Sequence, residues 1–215
     1  MDLDLDPESI EKWEFHYFNE IFFLLEQEKE KMLLGLHSKE KIRSEWGNYF
    51  YKENKRQNSD FARGAERIYF WLFNQFGKPN STPIGADMLF ETYNAFVHID
   101  IKTCKQSNES DWKHKIPIGR NQNNYQIEGV ESNLPFFYKS VNKYCFTYVL
   151  SVVYDEESLA IKSIKLISIP NGLLKELYGE NIFSAGKAKG ESLRFLYKKC
   201  KFSLIKGQPD RYKEI

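Results

Sequence analysis

Four residues in the stretch 83–103 are of the types, and at the spacing, that divalent-metal chemistry needs. In Phe96–Thr103 apolar and polar residues alternate, the period of a strand whose side chains point to opposite faces. Val97, Ile99 and Ile101 share one face and suit a core, while His98, Asp100 and Lys102 share the other. Asp87–Glu91 precedes it across Thr92–Ala95, a spacing that predicts a hairpin and brings Asp87 toward Asp100. Converging carboxylates repel one another unless a cation lies between them. A hard ion such as Mg2+ takes oxygen ligands, and it can neutralise charge at a phosphoryl group and activate a bound water. A lysine beside it can orient or deprotonate that water. The set fits phosphodiester hydrolysis better than peptide or ester hydrolysis, because no Ser-His-Asp or Cys-His arrangement stands out and the four histidines lack metal-ligand spacing.

The elements that must hold these residues read as helices first and strands after. Phe15, Phe18, Ile21, Phe22, Leu25 and Met32 recur at helical steps, predicting a helix over 7–34 that starts at Pro7 and ends at Gly35. A second helix is expected over about 38–53. A third, over about 60–76 with Asp60 as N-cap, carries the stripe Phe61, Ala65, Ile68, Tyr69, Leu72 and Phe76. Beyond the hairpin, Lys115–Ile118 reads as a weak strand, and Lys143–Val153 and Ala160–Ile169 as strong ones joined by an acidic turn. A short helix at about 172–178 and a final strand near 193–205 complete the reading. This order predicts an α/β (α+β) fold. The whole of 1–215 is read as one domain, with an N-terminal helical segment at 1–58 and the catalytic core and binding elements at 59–215.

Composition narrows the class. Aromatic residues make up 16% of the chain, too many for a disordered protein. Cys104, Cys145 and Cys200 form neither a CxxC pair nor an even framework, as expected of free thiols in a reducing compartment. No apolar run is long enough to span a membrane, and the acidic start lacks a signal-peptide pattern, so a cytoplasmic protein is expected. The net charge is +1 but unevenly placed: residues 1–31 hold ten acids against three bases, and residues 185–206 hold seven bases against one acid. A basic segment on a near-neutral chain can meet a polyanion at a defined face.

Asp87, a twelve-residue gap and then Asp100-Ile101-Lys102 resembles the PD-(D/E)xK nuclease signature, with Ala86 where a proline is usual and Pro83 four residues ahead of Asp87. The resemblance implies a restriction-endonuclease-like mixed central sheet flanked by helices. It implies Asp87 and Asp100 as metal ligands, joined by the carbonyl of Ile101, with Lys102 at the water nucleophile. It also implies a glutamate from an upstream helix, for which Glu66 is the best match and Glu45 the second. More loosely, the chain resembles type II restriction endonucleases, which implies a homodimer that cuts both strands of double-stranded DNA with Mg2+ and leaves 5′-phosphate ends.

The DNA contacts are then expected in two places. Arg, Asn and Gln read base edges bidentately, and Arg120, Asn121, Gln122 and Asn123 stand together. Lys187 and Lys189 lie in a glycine-flanked loop suited to phosphates, with Arg194 nearby. Two alternatives remain at this level: a repair or junction-resolving nuclease of the same superfamily, and a non-catalytic DNA-binding module.

Overall fold

The computed structural model describes residues 3–37, 57–74, 86–187, 190 and 192–215. The second expected helix (about 38–53), Glu45, Pro83 and Lys189 lie outside the described residues.

The N-terminal helical segment is two helices where the periodicity predicts one: α1 (Pro7–Gln27) and α2 (Lys29–His37), with the chain leaving helical geometry at Glu28. No Gly or Pro marks the break, so periodicity alone does not show it. The start is as expected. The Asp6 carboxylate accepts the free N–H groups of Glu8 and Ser9, and Pro7 occupies the first turn. Gly35, expected to end the helix, lies inside α2. A Cβ there would stand 3.3 Å from the Ile68 side chain, so this glycine lets α2 approach the next helix, α3 (Gln57–Asn74). Asp60 is inside α3 and is not its cap.

The main sheet is mixed. The expected hairpin is present as β1 (Met88–Glu91) and β2 (Ala95–Lys105), antiparallel with Met88 opposite Ile99. From β2 the chain leaves the sheet, forms β3 (Ile116–Gly119) and the two-residue β4 (Phe137–Tyr138), and returns as β5 (Lys143–Tyr154), parallel to β2 along its whole length. β5 then pairs antiparallel with β6 (Ile161–Ile169). After a 3-10 turn at Gly172–Leu174 and the single-turn α4 (Lys175–Tyr178), the chain forms β7 (Phe183–Ala185) and β8 (Ser192–Phe195). It ends in β9 (Tyr212–Glu214) at the edge of the main sheet. A second, three-stranded sheet has the order β3-β8-β7.

The final strand expected near 193–205 is therefore shorter. It stops at Phe195, and a 3-10 turn over Tyr197–Lys199 follows.

Two cores sandwich the main sheet. On one face Val97, Ile99 and Ile101 of β2, with Tyr148, Leu150 and Val152 of β5, pack against Phe18 and Leu25 of α1 and Tyr69 and Leu72 of α3. Phe61 of α3 stacks on Tyr154, ring centres 4.0 Å apart. On the other face Val149, Ile167 and Ile169 meet Ile116, Ile118, Leu193 and Phe195 of the small sheet. Each fully buried side chain of this size contributes about 1.5–3 kcal/mol, so alternation along β2 and β5 fixes the register: a one-residue slip would exchange the two faces.

One ionic cluster lies deep in the helix-side layer. Arg211 is fully buried and bonds Glu11 at 2.9 Å and Glu14 at 2.8 Å, tying the C-terminal segment to the start of α1. Two of the acids that make the N-terminus look like a solvated acidic face are thus internal. Glu11 also accepts the Ser203 and Leu204 N–H groups and the Tyr178 hydroxyl, and Glu14 accepts the Asn171 N–H. Burial pushes Glu14 up to about 7 against the pull of Arg211.

Candidate active site and DNA-facing elements

β1 is shorter than β2. Past Met88, the β2 edge from Asp100 onward has no strand beside it among the described residues, and Asp87 stands where the ladder stops. Its Oδ2 accepts the Ile101 N–H at 2.6 Å, taking the place of the backbone acceptor that a longer β1 would supply. A strand residue's N–H and C=O leave on the same edge, so the Ile101 carbonyl also faces the edge where Asp87 sits. The hairpin thus brings Asp87 and Asp100-Ile101-Lys102 together.

Asp100 is buried and Asp87 exposed, so the site runs from interior to surface. The Lys102 ammonium lies 2.8 Å from Asp100 Oδ2. Among the described residues this ion pair is the contact that the oxygen makes. Burial raises Asp100 to about 6; Lys102 opposes the rise, and the negative charges of Asp87 and Glu66 add to it. Glu66 of α3 is also raised by partial burial and by Asp87, with Arg63 and Lys102 opposing. Asp100 and Glu66 are thus both raised, by burial and by the negative charge of Asp87, as converging carboxylates are where no cation lies between them.

His98 is on the same face, two residues before Asp100. Its Nδ1 is 3.2 Å from the Phe146 carbonyl. A carbonyl only accepts, so Nδ1 carries the proton. Burial lowers the ring to about 4, keeping it neutral near pH 7.

The expected DNA-contact residues fall at two distant places. Lys187 bonds Asp111 Oδ2 at 2.8 Å, and Arg194 bonds Asp111 Oδ1 through Nε and Nη2, each at 3.0 Å. These partners hold Asp111 below the usual carboxylate range against its burial. Asp111 also bears electrostatically on Cys104, at the same end of β2 as Lys102, so this cluster is at the end that holds Asp100 and Lys102. Asp111 is not among the residues singled out from the sequence; its partners lie about 80 residues further along the chain. The run 120–123 lies elsewhere. Its neighbour Asn124 donates to the Cys145 carbonyl, six residues along β5 from Ser151, the partner of Lys102. At about 3.3 Å per residue that is roughly 20 Å. Within the run, Arg120 is exposed, and Asn121 accepts from Asn133. Gln122 accepts the Gly119 N–H, and the buried Asn123 spends its amide on the Gly119 carbonyl and the Tyr125 N–H. Gln122 and Asn123 shape the turn that presents Arg120 and Asn121.

A mixed sheet sandwiched between helices and a smaller sheet, with acids and a lysine meeting where a short edge strand ends, defines a restriction-endonuclease-like nuclease. The family models of the type II restriction enzyme MwoI match the chain over residues 7–158 (N-terminal domain) and 161–215 (central domain), and the chain belongs to this family of type II restriction endonucleases. Among solved structures it resembles the restriction endonuclease BglI bound to its DNA recognition sequence: TM-score 0.73, 18% identity, 97% of this chain and 91% of that one. It also resembles the tetrameric restriction endonuclease SfiI bound to cognate DNA: TM-score 0.66, 16% identity, 99% and 85% covered. No curated protein matches significantly. Family membership favours the restriction-enzyme reading over a junction-resolving nuclease and over a non-catalytic binding module.

Proposed function

We propose that this type II restriction endonuclease hydrolyses double-stranded DNA at Asp87, Asp100, Lys102 and Glu66 with Mg2+. The observation that carries the reading is the bond from Ile101 N–H to Asp87, which fixes the first acid beside the second at an open sheet edge. The residues fit a hard cation. The donors are carboxylates and a carbonyl, and burial, with the charges of Asp87 and Glu66 adding to it, raises Asp100. Among the described residues no three His, Cys, Asp or Glu side chains are grouped closely enough to hold an ion by themselves. Mg2+ keeps several waters and takes substrate phosphate oxygens beside its protein ligands.

Asp87, Asp100 and the Ile101 carbonyl hold the ion in this reading; when bound it neutralises charge on the phosphoryl group and acidifies a water. Lys102, fixed by Asp100, orients the attacking water and stabilises the oxyanion that forms as its oxygen adds to phosphorus. The bond to the 3′-oxygen breaks, leaving a 3′-hydroxyl and a 5′-phosphate. Glu66 adds a third carboxylate from α3. Lys187, Lys189 and Arg194 contact DNA near the cut, and Arg120 and Asn121 do so about 20 Å along, with Gln122 and Asn123 holding their turn.

The enzyme works in the cytoplasm as a homodimer, two-fold protein symmetry matching a two-fold DNA site. Residues 1–215 act as one nuclease domain; β5 and β6 pair across the boundary between the two family models. The test is digestion of a sequenced genomic DNA with Mg2+ and mapping of the ends. Fixed cut sites with 5′-phosphates are expected, and Asp100→Ala should abolish them. Equal cutting by Asp100→Ala would overturn the site.

A further inference from the structure

Along one face of β2 and β5, three buried polar atoms have lone pairs or a proton to spare among the described residues: His98 Nε2 and Thr147 Oγ1 have no hydrogen-bond partner, and Asp100 Oδ2 has the Lys102 ammonium alone, 2.8 Å away. All three residues are almost fully inaccessible to solvent, at 0%, 2% and 2% exposure. They are neighbours. His98 and Thr147 are paired in the parallel ladder, and Asp100 is two residues beyond His98 on the same face. With its Nδ1–H given to Phe146, His98 offers a lone pair at Nε2. Asp100 Oδ2 offers another, and the Thr147 hydroxyl can donate.

Leaving one buried polar atom unsatisfied costs about 1–3 kcal/mol, and native proteins leave few of them. Three on one patch, two acceptors and one donor, match what one water provides: two hydrogens to give and a lone pair to receive. Buried waters make about three such bonds.

We infer that His98 and Thr147 are positioning residues for Asp100, acting through a shared buried water that donates to His98 Nε2 and Asp100 Oδ2 and accepts from Thr147. The water holds the Asp100 carboxylate from the interior side and leaves its remaining lone pairs for the reacting centre. Groups that orient a metal-binding carboxylate from behind typically change metal affinity or activity by about 10- to 100-fold when removed. The inference rests on the reading of Asp100 as a metal-binding acid.

Thr147→Val is nearly isosteric and removes the hydroxyl, while Thr147→Ser keeps it. Thr147→Val is expected to raise the Mg2+ concentration for half-maximal cleavage by roughly 10-fold with an unchanged Tm, and Thr147→Ser to stay close to the parent. His98→Phe shifts the same quantity further. A high-resolution crystal structure is expected to show a water within about 2.7–3.2 Å of both His98 Nε2 and Asp100 Oδ2. No water there, or a Thr147→Val enzyme with the parent's Mg2+ requirement, overturns the inference. Asp100→Ala separates the two claims. If it still cleaves DNA, the site reading has failed; if it is inactive while Thr147→Val is normal, the water-mediated support alone has failed.

Discussion

Arg211→Met asks how much of the fold depends on one buried cation. The guanidinium is fully buried, bonds Glu11 and Glu14, and lies 4.1 Å over the Phe202 ring. Methionine fills much of the same volume but leaves two carboxylates inside the protein without a positive partner. Breaking a buried pair in this way costs about 3–5 kcal/mol. At roughly 2–4 °C per kcal/mol for a chain of this size, the melting temperature should fall by about 6–20 °C. The loss should depend on pH in a definite direction. Without Arg211 both acids have folded-state pKa values raised above their unfolded ones. The variant is then least penalised below the unfolded value and loses stability as pH rises through the raised folded values. Calorimetric melting of parent and variant from pH 5 to pH 8 measures this. A fall of under about 3 °C at pH 8, or a gap that does not narrow toward pH 5, would refute the idea that the cation compensates two internal charges.

Other outcomes follow from the same geometry. In the parent, Glu14 is raised to about 7 from 4.5, so its contribution is present below pH 4.5 and lost as pH rises through 7; the melting-temperature difference between Glu14→Gln and the parent should therefore shift in the variant's favour from pH 5 to pH 8, read by melting at each pH. Asp100→Asn and Lys102→Met should each lower kcat by at least roughly 100-fold while filter binding still detects DNA; a loss of binding alone would contradict the assigned roles. Asp87→Ala removes both a proposed ligand and the acceptor of the Ile101 N–H, so it should lose cleavage and also about 1 kcal/mol or more of stability, measured by denaturant unfolding. Lys187→Ala should reduce the slope of log affinity against log salt by about one, with the cut sites unchanged in end mapping.

The site was the most legible part of the sequence, for a local reason. Alternation along Phe96–Thr103 puts His98, Asp100 and Lys102 on one face without knowledge of any other strand, and the short link to β1 brings Asp87 within reach. Glu66 rested on the family pattern, and it proves to bear electrostatically on Asp87, Asp100 and Lys102. What could not be read depends on distant partners. β7 and β9 are three residues each and exist because β8 and β6 lie beside them. The burial of Arg211 depends on two acids about 200 residues earlier, which no local pattern records. The roughly 20 Å between the 120–123 run and the catalytic end is likewise set by the path of the chain outside the main sheet, which no periodicity records.

The turn at 155–160 is where one family model ends and the next begins, yet the strands on either side of it are hydrogen-bonded neighbours from Thr147 to Tyr154. A cut there leaves two pieces that each present a long unpaired strand edge. Separately expressed, residues 1–158 and 159–215 should be aggregation-prone; mixed, they should zip along that edge and restore nuclease activity. The joint is a natural place to split the enzyme, so that cutting DNA becomes conditional on two polypeptides meeting.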